Sequence, residues 1–95
     1  MRLYDRSNLF KKDFKKAQKQ TSPKRDMEEL EKVMVLLAED KPLPPEKRDH
    51  NLVGPWKGYR ECHVQPDFLL IYKKDNKENS IRFERVGTHS ELFRK

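Results

Sequence analysis

The chain has 95 residues, which is enough for one domain with one small core. Charged residues make up 40% and hydrophobic residues 34%, but the apolar residues are grouped and periodic, which favours a folded domain over a disordered chain. A formal net charge of +6 predicts attraction to nucleic acid, an anionic membrane or an acidic protein. The single cysteine excludes an internal disulfide, and with only three glycines there is no Gly-rich phosphate loop. No apolar leader or membrane-spanning run occurs, so we expect a cytoplasmic protein without a membrane partner.

The first residues predict a short strand followed by a helix. Weak alternation over residues 1–6 is typical of a short edge strand, and Ser7 is a suitable N-cap for the helix. Phe10, Phe14 and Ala17 recur at helical spacing and predict one buried stripe. The other side of this helix is basic, with Lys11, Lys12, Lys15, Lys16 and Lys19. We expect that side to be solvated and able to face an anion.

A second helix is predicted to begin within TSPKRD. Ser22 as N-cap and Pro23 at the first helical position form a start signal. The apolar residues that follow at helical spacing predict a core stripe of Met27, Leu30, Val33, Met34 and Leu37. Because a short loop joins the two helices, we expect an antiparallel hairpin.

The second half of the chain predicts strands, because three prolines in KPLPPEK end the helical pattern and the period then changes to two. A strand is predicted in WKGYRECHV, with one face formed by Lys57, Tyr59, Glu61 and His63. A turn at residues 65–67 leads to FLLIYK, a continuous apolar run typical of a central strand. A polar loop then leads to IRFERV, with Ile81, Phe83 and Arg85 predicted on one face. The fold class is therefore α+β, with a short strand and a two-helix hairpin packed on a mainly antiparallel sheet.

The end of the chain predicts a short helical turn that begins with a histidine. Thr88 and Glu91 fit the S/T-x-x-E capping box, which makes His89 the first helical residue. Gly87 is expected to let the chain leave the last strand sharply, and Leu92 to attach the turn to the body of the domain.

Three histidines lie after the helical hairpin, accompanied by carboxylates. Glu61 and His63 share a strand face, Asp67 follows the next turn, and His89 follows the last strand. In a three-stranded meander these groups gather at one end of the sheet, and His50 lies just before the first of its strands. Metal-independent RNA cleavage needs a base, an acid and a cation for the phosphate. Histidines suit the proton transfers because they titrate near neutral pH.

The same residues also fit structural roles or a metal site. Arg85 suits a phosphate, and it equally suits an ordinary ion pair with a carboxylate. His50 fits a loop histidine, and Asp67 a simple turn former. Zinc-ligand types occur at His50, Cys62, His63, Asp67 and His89. Adjacent Cys62 and His63 point to opposite strand faces, and no paired CxxC or HExxH spacing occurs, so we expect no metal site.

The chain resembles the YafQ-type branch of the RelE/ParE toxin superfamily in two segments, DHNLVGPWKGYRECHVQPDFLLIYK and IRFERVGTHSELF. The DH, WKGYR-x-x-H-V-x-PD and RxGTHxxLF patterns occur in order, and the resemblance extends through roughly the whole chain. It implies a single toxin domain over residues 1–95 from a bacterial type II toxin–antitoxin pair. Such a toxin enters the ribosomal A site and cuts messenger RNA there without a metal or cofactor. The implied partners are a cognate antitoxin protein, mRNA and the ribosome.

The same resemblance implies the catalytic residues. The positions that match the family's site are His50, Glu61, His63, Asp67, Arg85 and His89. We assign His89 and Asp67 to proton transfer at the scissile phosphate. His50 and His63 then form the other acid/base and orienting pair, and Arg85 stabilises the phosphorane. Glu61 stands where relatives often carry Asp, which preserves the charge.

Contacts with the substrate and the ribosome are implied at further positions. Phe68 stands where some relatives carry Trp, so base stacking there is expected to differ, and Phe93 matches the family's final aromatic residue. Backbone contacts with ribosomal RNA are expected from Lys11, Lys12, Lys15, Lys57 and Arg60. Two further functions are alternatives: a ParE-like toxin that inhibits a topoisomerase by binding, without nuclease activity, and a purely structural RNA-binding module.

Overall fold

The structure, a computed structural model, describes residues 1–21 and 24–93 and contains one five-stranded sheet within them. The strands are β1 (Leu3–Arg6), β2 (His50–Asn51), β3 (Arg60–Gln65), β4 (Phe68–Asp75) and β5 (Ser80–Gly87). The helices are α1 (Asn8–Lys19), α2 (Met27–Ala38) and α3 (His89–Phe93), with 3₁₀ turns at Pro45–Lys47 and Gly54–Trp56. Among these described residues, no helix has the length and apolar character needed to span a membrane.

The sheet has the strand order β1-β5-β4-β3-β2. Strands β3, β4 and β5 form the predicted antiparallel meander, and β1 joins as the predicted edge strand, parallel to β5. Sequence periodicity does not predict β2, which pairs antiparallel with β3 and places His50 opposite Glu61. The α+β fold class is confirmed, with one additional edge strand that carries a candidate site residue.

Helix α1 has the cap and the buried stripe that its sequence predicts. The Ser7 side chain accepts a hydrogen bond from the Phe10 N–H at 2.9 Å. Phe10 and Ala17 are buried against the sheet, and Phe14 packs beside them. The five lysines on the other side of the helix are exposed.

Helix α2 begins later than predicted. Its first residue is Met27, and Asp26 caps it by accepting a hydrogen bond from the Glu29 N–H at 2.9 Å. Ser22 and Pro23, which are predicted to start this helix, lie outside the described residues. An aspartate at the N-cap serves the free N–H groups as well as a serine does, so either position is chemically suitable.

The two faces of the sheet differ in what covers them. One face, here called the helix face, packs against α1 and α2 through the buried side chains of Cys62, Val64, Phe68, Leu70, Tyr72, Ile81, Phe83 and Val86. The other, here called the histidine face, carries Glu61 and His63 on β3. It also carries a smaller apolar cluster formed by Leu69, Ile71 and Leu92 of α3. Glu61 and His63 therefore lie on the side of the sheet that the long helices do not cover.

Two strand predictions need correction. The first strand of the meander begins at Arg60, because a 3₁₀ turn and Gly58, with φ of +95°, precede it, so Lys57 lies outside the strand. In β5 the pairing skips one residue, with Phe83 opposite Tyr72 but Arg85 opposite Ile71. This β-bulge inserts one residue and reverses the alternation. Arg85 therefore does not share a face with Phe83.

Candidate active site

Glu61 is a buried carboxylate that lies between two histidines. Only 4% of the residue is exposed, and its Oε1 atom lies 3.5 Å from Nε2 of His50 and 3.5 Å from Nε2 of His63. His50 reaches it from the neighbouring strand β2, and His63 from two residues further along β3. The predicted shared face of Glu61 and His63 is confirmed, and β2 adds His50 to it.

The His50 ring is oriented by a backbone carbonyl. Its Nδ1 lies 2.6 Å from the Arg48 carbonyl oxygen. Because a carbonyl can only accept, Nδ1 carries a hydrogen, which leaves Nε2 facing Glu61. Arg48 itself has φ of +51°, an uncommon left-handed conformation for a residue with a side chain. The histidine thus has a defined tautomer and a defined direction.

His89 and Asp67 form a second pair at the end of the sheet. The Asp67 Oδ1 atom accepts hydrogen bonds from the His89 backbone N–H at 3.0 Å and from its ring Nδ1 at 2.8 Å. Both bonds hold the pKa of Asp67 below its usual value, and the bond from the backbone N–H has the larger effect. Since Nδ1 donates to the carboxylate, Nε2 of neutral His89 presents a lone pair.

The short helix α3 holds His89 in place through the predicted capping box. Thr88 Oγ1 accepts from the Glu91 N–H at 3.1 Å, and the Thr88 N–H donates to Glu91 Oε1 at 2.9 Å. Leu92 is buried beneath the turn, as predicted. The chain leaves β5 at Gly87 and begins α3 at His89, as expected, and a Cβ at Gly87 would lie only 2.9 Å from Glu91 Oε1, so the glycine also provides space for the capping carboxylate.

The three imidazoles form a row on the histidine face. The ring centroids of His50 and His63 are 6.4 Å apart, and those of His63 and His89 are 5.7 Å apart. The sequence prediction that these residues meet at one end of the sheet agrees with this placement. Three imidazoles and the carboxylates of Glu61 and Asp67 therefore lie close together on the histidine face.

Comparison with known proteins identifies the family. A family model described as a bacterial toxin of type II toxin–antitoxin systems, YafQ, matches residues 2–94. The chain belongs to the YafQ family of toxins. It is 49% identical, over 92% of its length and 90% of the relative's, to the mRNA interferase toxin YafQ of Escherichia coli K12.

Solved YafQ structures share the fold. The crystal structure of YafQ from E. coli BL21(DE3) covers 98% of this chain and 99% of its own, with 46% identity and a TM-score of 0.88. The structure of the E. coli DinJ–YafQ complex covers the same shares with 46% identity and a TM-score of 0.84. The resemblance stated from the sequence is thus confirmed at the level of family and fold.

Arg85, a site residue implied by the YafQ resemblance, is held by a carboxylate on α1. Its Nε and Nη2 atoms donate to the two Asp13 oxygens at 2.7 and 3.1 Å. The hydrogen bonds to Asp13 raise the pKa of the guanidinium, although burial acts in the opposite direction. Asp13 also accepts from the Val86 N–H at 3.2 Å, which ties α1 to β5. The role of Arg85 at the phosphate stays a prediction, and it requires the guanidinium to exchange Asp13 for the phosphate.

The predicted contact of Phe68 with substrate is wrong. Phe68 has no exposed surface, lies in the helix-face core, and carries the Arg25 guanidinium 5.3 Å above its ring centroid. The residue follows Asp67 directly, so strand alternation turns its ring away from the histidines. A base bound beside His89 cannot reach it.

An aromatic group does lie beside His89. Phe93 is 36% exposed, and its ring centroid lies 6.5 Å from that of His89 and 6.4 Å from that of Trp56. Trp56 in turn meets Tyr59 edge to face at 5.3 Å. By residue type, Trp56 and Tyr59 fit a core position, a partner contact or, where exposed, stacking on bases, and no spacing signal joins them to Phe93. The four predicted RNA-contacting lysines, Lys11, Lys12, Lys15 and Lys57, are exposed.

This YafQ-family site has the geometry to hold a metal ion. Glu61, His63 and His89 each offer one ligand atom, and these atoms lie within 4.8 Å of one another. The set shares His63 and His89 with the sequence candidates and adds Glu61. Cys62 is not part of it and lies buried on the helix face, where burial raises the pKa of its thiol. A structure of a metal-bound toxin from Helicobacter pylori, 41% identical to this chain, has a TM-score of 0.86 and covers 98% of this chain and 100% of its own.

Proposed function

We propose that this chain, as a single toxin domain, is an mRNA interferase of a type II toxin–antitoxin system that cuts messages in the ribosomal A site without a metal. The observation that carries the proposal is the pairing of His89 with Asp67 beside the Glu61–His50–His63 group. The 49% identity to the E. coli mRNA interferase toxin YafQ supports the substrate class.

His89 is the base of the proposed reaction. Its Nδ1 donates to Asp67, which leaves the Nε2 lone pair for the proton of a ribose 2′-OH. As that proton moves to Nε2, the 2′-oxygen attacks the adjacent phosphorus. Asp67 holds the tautomer and balances the positive charge that develops on the ring.

The Glu61 group supplies the proton that the reaction also needs. A buried carboxylate is stabilised by a positive partner, and His50 and His63, each 3.5 Å from Glu61, are the side chains that can supply one. His63 is the nearest of them to His89, with ring centroids 5.7 Å apart. It gives its proton to the 5′-oxygen as the P–O5′ bond breaks, which leaves a 2′,3′-cyclic phosphate and a 5′-OH.

Partners follow from the charge and from the relatives. The exposed lysines on α1 are expected to contact ribosomal RNA backbone, an interaction that weakens with salt. The E. coli DinJ–YafQ complex supports a cognate antitoxin for this chain as well. With a net charge of +6 on the toxin, an acidic antitoxin segment fits best.

Primer extension on a translated message tests the proposed function. Wild-type protein is expected to produce cuts within codons only when the message is translated, and His89→Ala to lower the rate by about 10²–10⁴-fold. Ser90→Ala, one position along α3, is the matched control and should cut like the wild type. A fully active His89→Ala protein contradicts the proposal. Intact messages together with damaged DNA would favour the topoisomerase alternative.

A further inference from the structure

A hydrogen-bonded network lies behind β2, on the opposite side of the sheet from the histidines. Asn51 pairs with Arg60, and Arg60 pairs with Tyr72, so the three residues form one row across β2, β3 and β4. Tyr72 belongs to the helix-face core and has no exposed surface. The row therefore lies on the helix face, whereas Glu61 and His63 lie on the histidine face.

Arg60 connects the two neighbours of His50. Its Nε donates to Asp49 Oδ1 at 3.2 Å, and its Nη1 donates to Asn51 Oδ1 at 2.7 Å. The Tyr72 hydroxyl donates to the same Asp49 oxygen at 2.5 Å. Asp49 and Asn51, the two neighbours of His50, are thus both tied to Arg60 of β3, and Asp49 is also tied to Tyr72 of β4.

We propose that Asp49, Arg60 and Tyr72 form a clamp that positions His50 against Glu61. In an extended segment alternate side chains point to opposite faces, so fixing Asp49 and Asn51 on the helix face directs His50 to the histidine face. A strand of only two residues has too few ladder hydrogen bonds to define that direction alone. The Arg48 carbonyl holds the ring through Nδ1, and the clamp fixes the side of the sheet on which the His50 side chain lies, so the clamp acts on the reaction only through His50.

The clamp gives Arg60 a role other than RNA binding. A guanidinium is planar and offers a rigid fork of donors, which suits the simultaneous contacts to Asp49 and Asn51. Tyr72 separates the two roles experimentally, because a fully buried hydroxyl cannot contact the ribosome. The inference rests on the proposed function for its effect on cleavage, but the orientation of the His50 ring can be observed without any activity.

Tyr72→Phe is the first test, since it removes one hydroxyl and keeps the ring in the core. We expect the His50 ring ¹⁵N resonances to shift and broaden, while those of His89 keep their positions. At saturating toxin, the single-turnover cleavage rate should fall about 10-fold, with the half-saturating concentration unchanged. In a His50→Ala background the same substitution should change the rate no further, because the clamp then has nothing to position. Tyr4→Phe, the same change on the exposed strand at the other edge of the sheet, is the control.

Arg60→Lys is the second test, because a lysine keeps the charge but loses the fork. We expect a larger rate loss, of about 10²-fold, and again a mobile His50 ring. Arg82→Lys removes a comparable surface fork on β5 and should leave both readouts unchanged. Unaltered His50 resonances in both clamp variants, or rate losses that persist in the His50→Ala background, overturn the clamp. If wild-type protein cuts no message, the proposed function fails, and the ring resonances still decide the clamp.

Discussion

The two faces of the sheet are built from the same strands and have different purposes. On β4, Leu70 and Tyr72 contribute to the core under α1 and α2, whereas Leu69 and Ile71 lie under α3 beside the histidines. The helix face contains the large apolar cluster, and the histidine face combines a small apolar cluster with a buried carboxylate. The large core on the helix face stabilises the sheet. The histidine face can therefore carry buried polar groups, which would destabilise the fold if they were unpaired.

Leu69 and Leu70 provide the strongest test of this division, because they are adjacent leucines of β4 with no exposed surface on opposite faces. Leu69→Ala and Leu70→Ala should each lower the free energy of unfolding by about 2–5 kcal/mol. Only Leu69→Ala should also lower cleavage per folded molecule, because it opens a cavity beneath Leu92 and lets His89 move. Thermal unfolding gives the folded fraction, and primer extension gives the rate.

Each leucine variant serves as the control for the other. Equal activity per folded molecule in the two variants would show that the small cluster supports only stability. A larger activity loss in Leu70→Ala would show that the helix-face core transmits its packing to the site. The comparison needs no knowledge of which histidine is acid or base.

Periodicity predicts the helix-face side of the molecule well. The stripe of Phe10 and Ala17 and the apolar run of β4 report burial directly, because each has the repeat of its element. The bulge in β5 is different, since one inserted residue leaves the local composition of IRFERV unchanged and shows only in the pairing of Arg85 with Ile71. Two-residue β2 is likewise too short to produce a period.

On the histidine face, the sequence predicts which residues belong to the site better than it predicts which groups they contact. Strand parity brings Glu61 and His63 together, and the capping box places His89 at the start of α3. The family resemblance implies Phe68 as a substrate contact but does not indicate on which face of the sheet the ring lies. The structure buries the ring completely, so it cannot contact the substrate. Arg60 on β3 bonds to Asn51 on β2 and to the Tyr72 hydroxyl on β4, and no local pattern encodes such contacts. Polar networks between distant segments are therefore the part of this fold that sequence periodicity does not predict.

Gly87→Ala tests how the end of β5 holds α3 on the histidine face, and its expected effect on stability is smaller than that of the leucine variants. The added Cβ would lie 2.9 Å from Glu91 Oε1 and 3.4 Å from Leu92 Cδ2. Glu91 must then release the Thr88 N–H, at a cost of about 1 kcal/mol, typical of a lost helix cap. Cleavage should fall as well, because α3 carries His89.

A double-mutant cycle identifies the atom responsible for that loss. If the clash involves the Glu91 carboxylate, Gly87→Ala should cost less in a Glu91→Ala background than in the wild type. The free energy of unfolding of the four proteins, from urea titration, is the measurement. Fully additive losses would locate the strain in the backbone of β5 instead.

The smallest expected effect is the pH dependence of the Asp67–His89 pair. Hydrogen bonds from the His89 N–H and then its ring lower the pKa of Asp67 from the ordinary value of 3.8, so near that pH the unfolded chain binds more protons than the folded one. The pair's stabilisation is therefore present well above pH 3.8 and is lost as the pH falls through the lower, folded value.

Asp67→Asn isolates this contribution, because the amide oxygen can still accept the His89 N–H but does not titrate. Wild-type protein should exceed Asp67→Asn in unfolding free energy near neutral pH, and the difference should shrink as the solution becomes more acidic than about pH 4. With the Asp67 side chain 61% exposed, solvent and salt screen the interaction, so the difference should be modest and smaller at high ionic strength. A difference that stays constant into acid would mean that the carboxylate charge contributes nothing to holding α3. In that case the capping box and Leu92 alone would attach His89 to the histidine face, and Asp67 would act only on the chemistry.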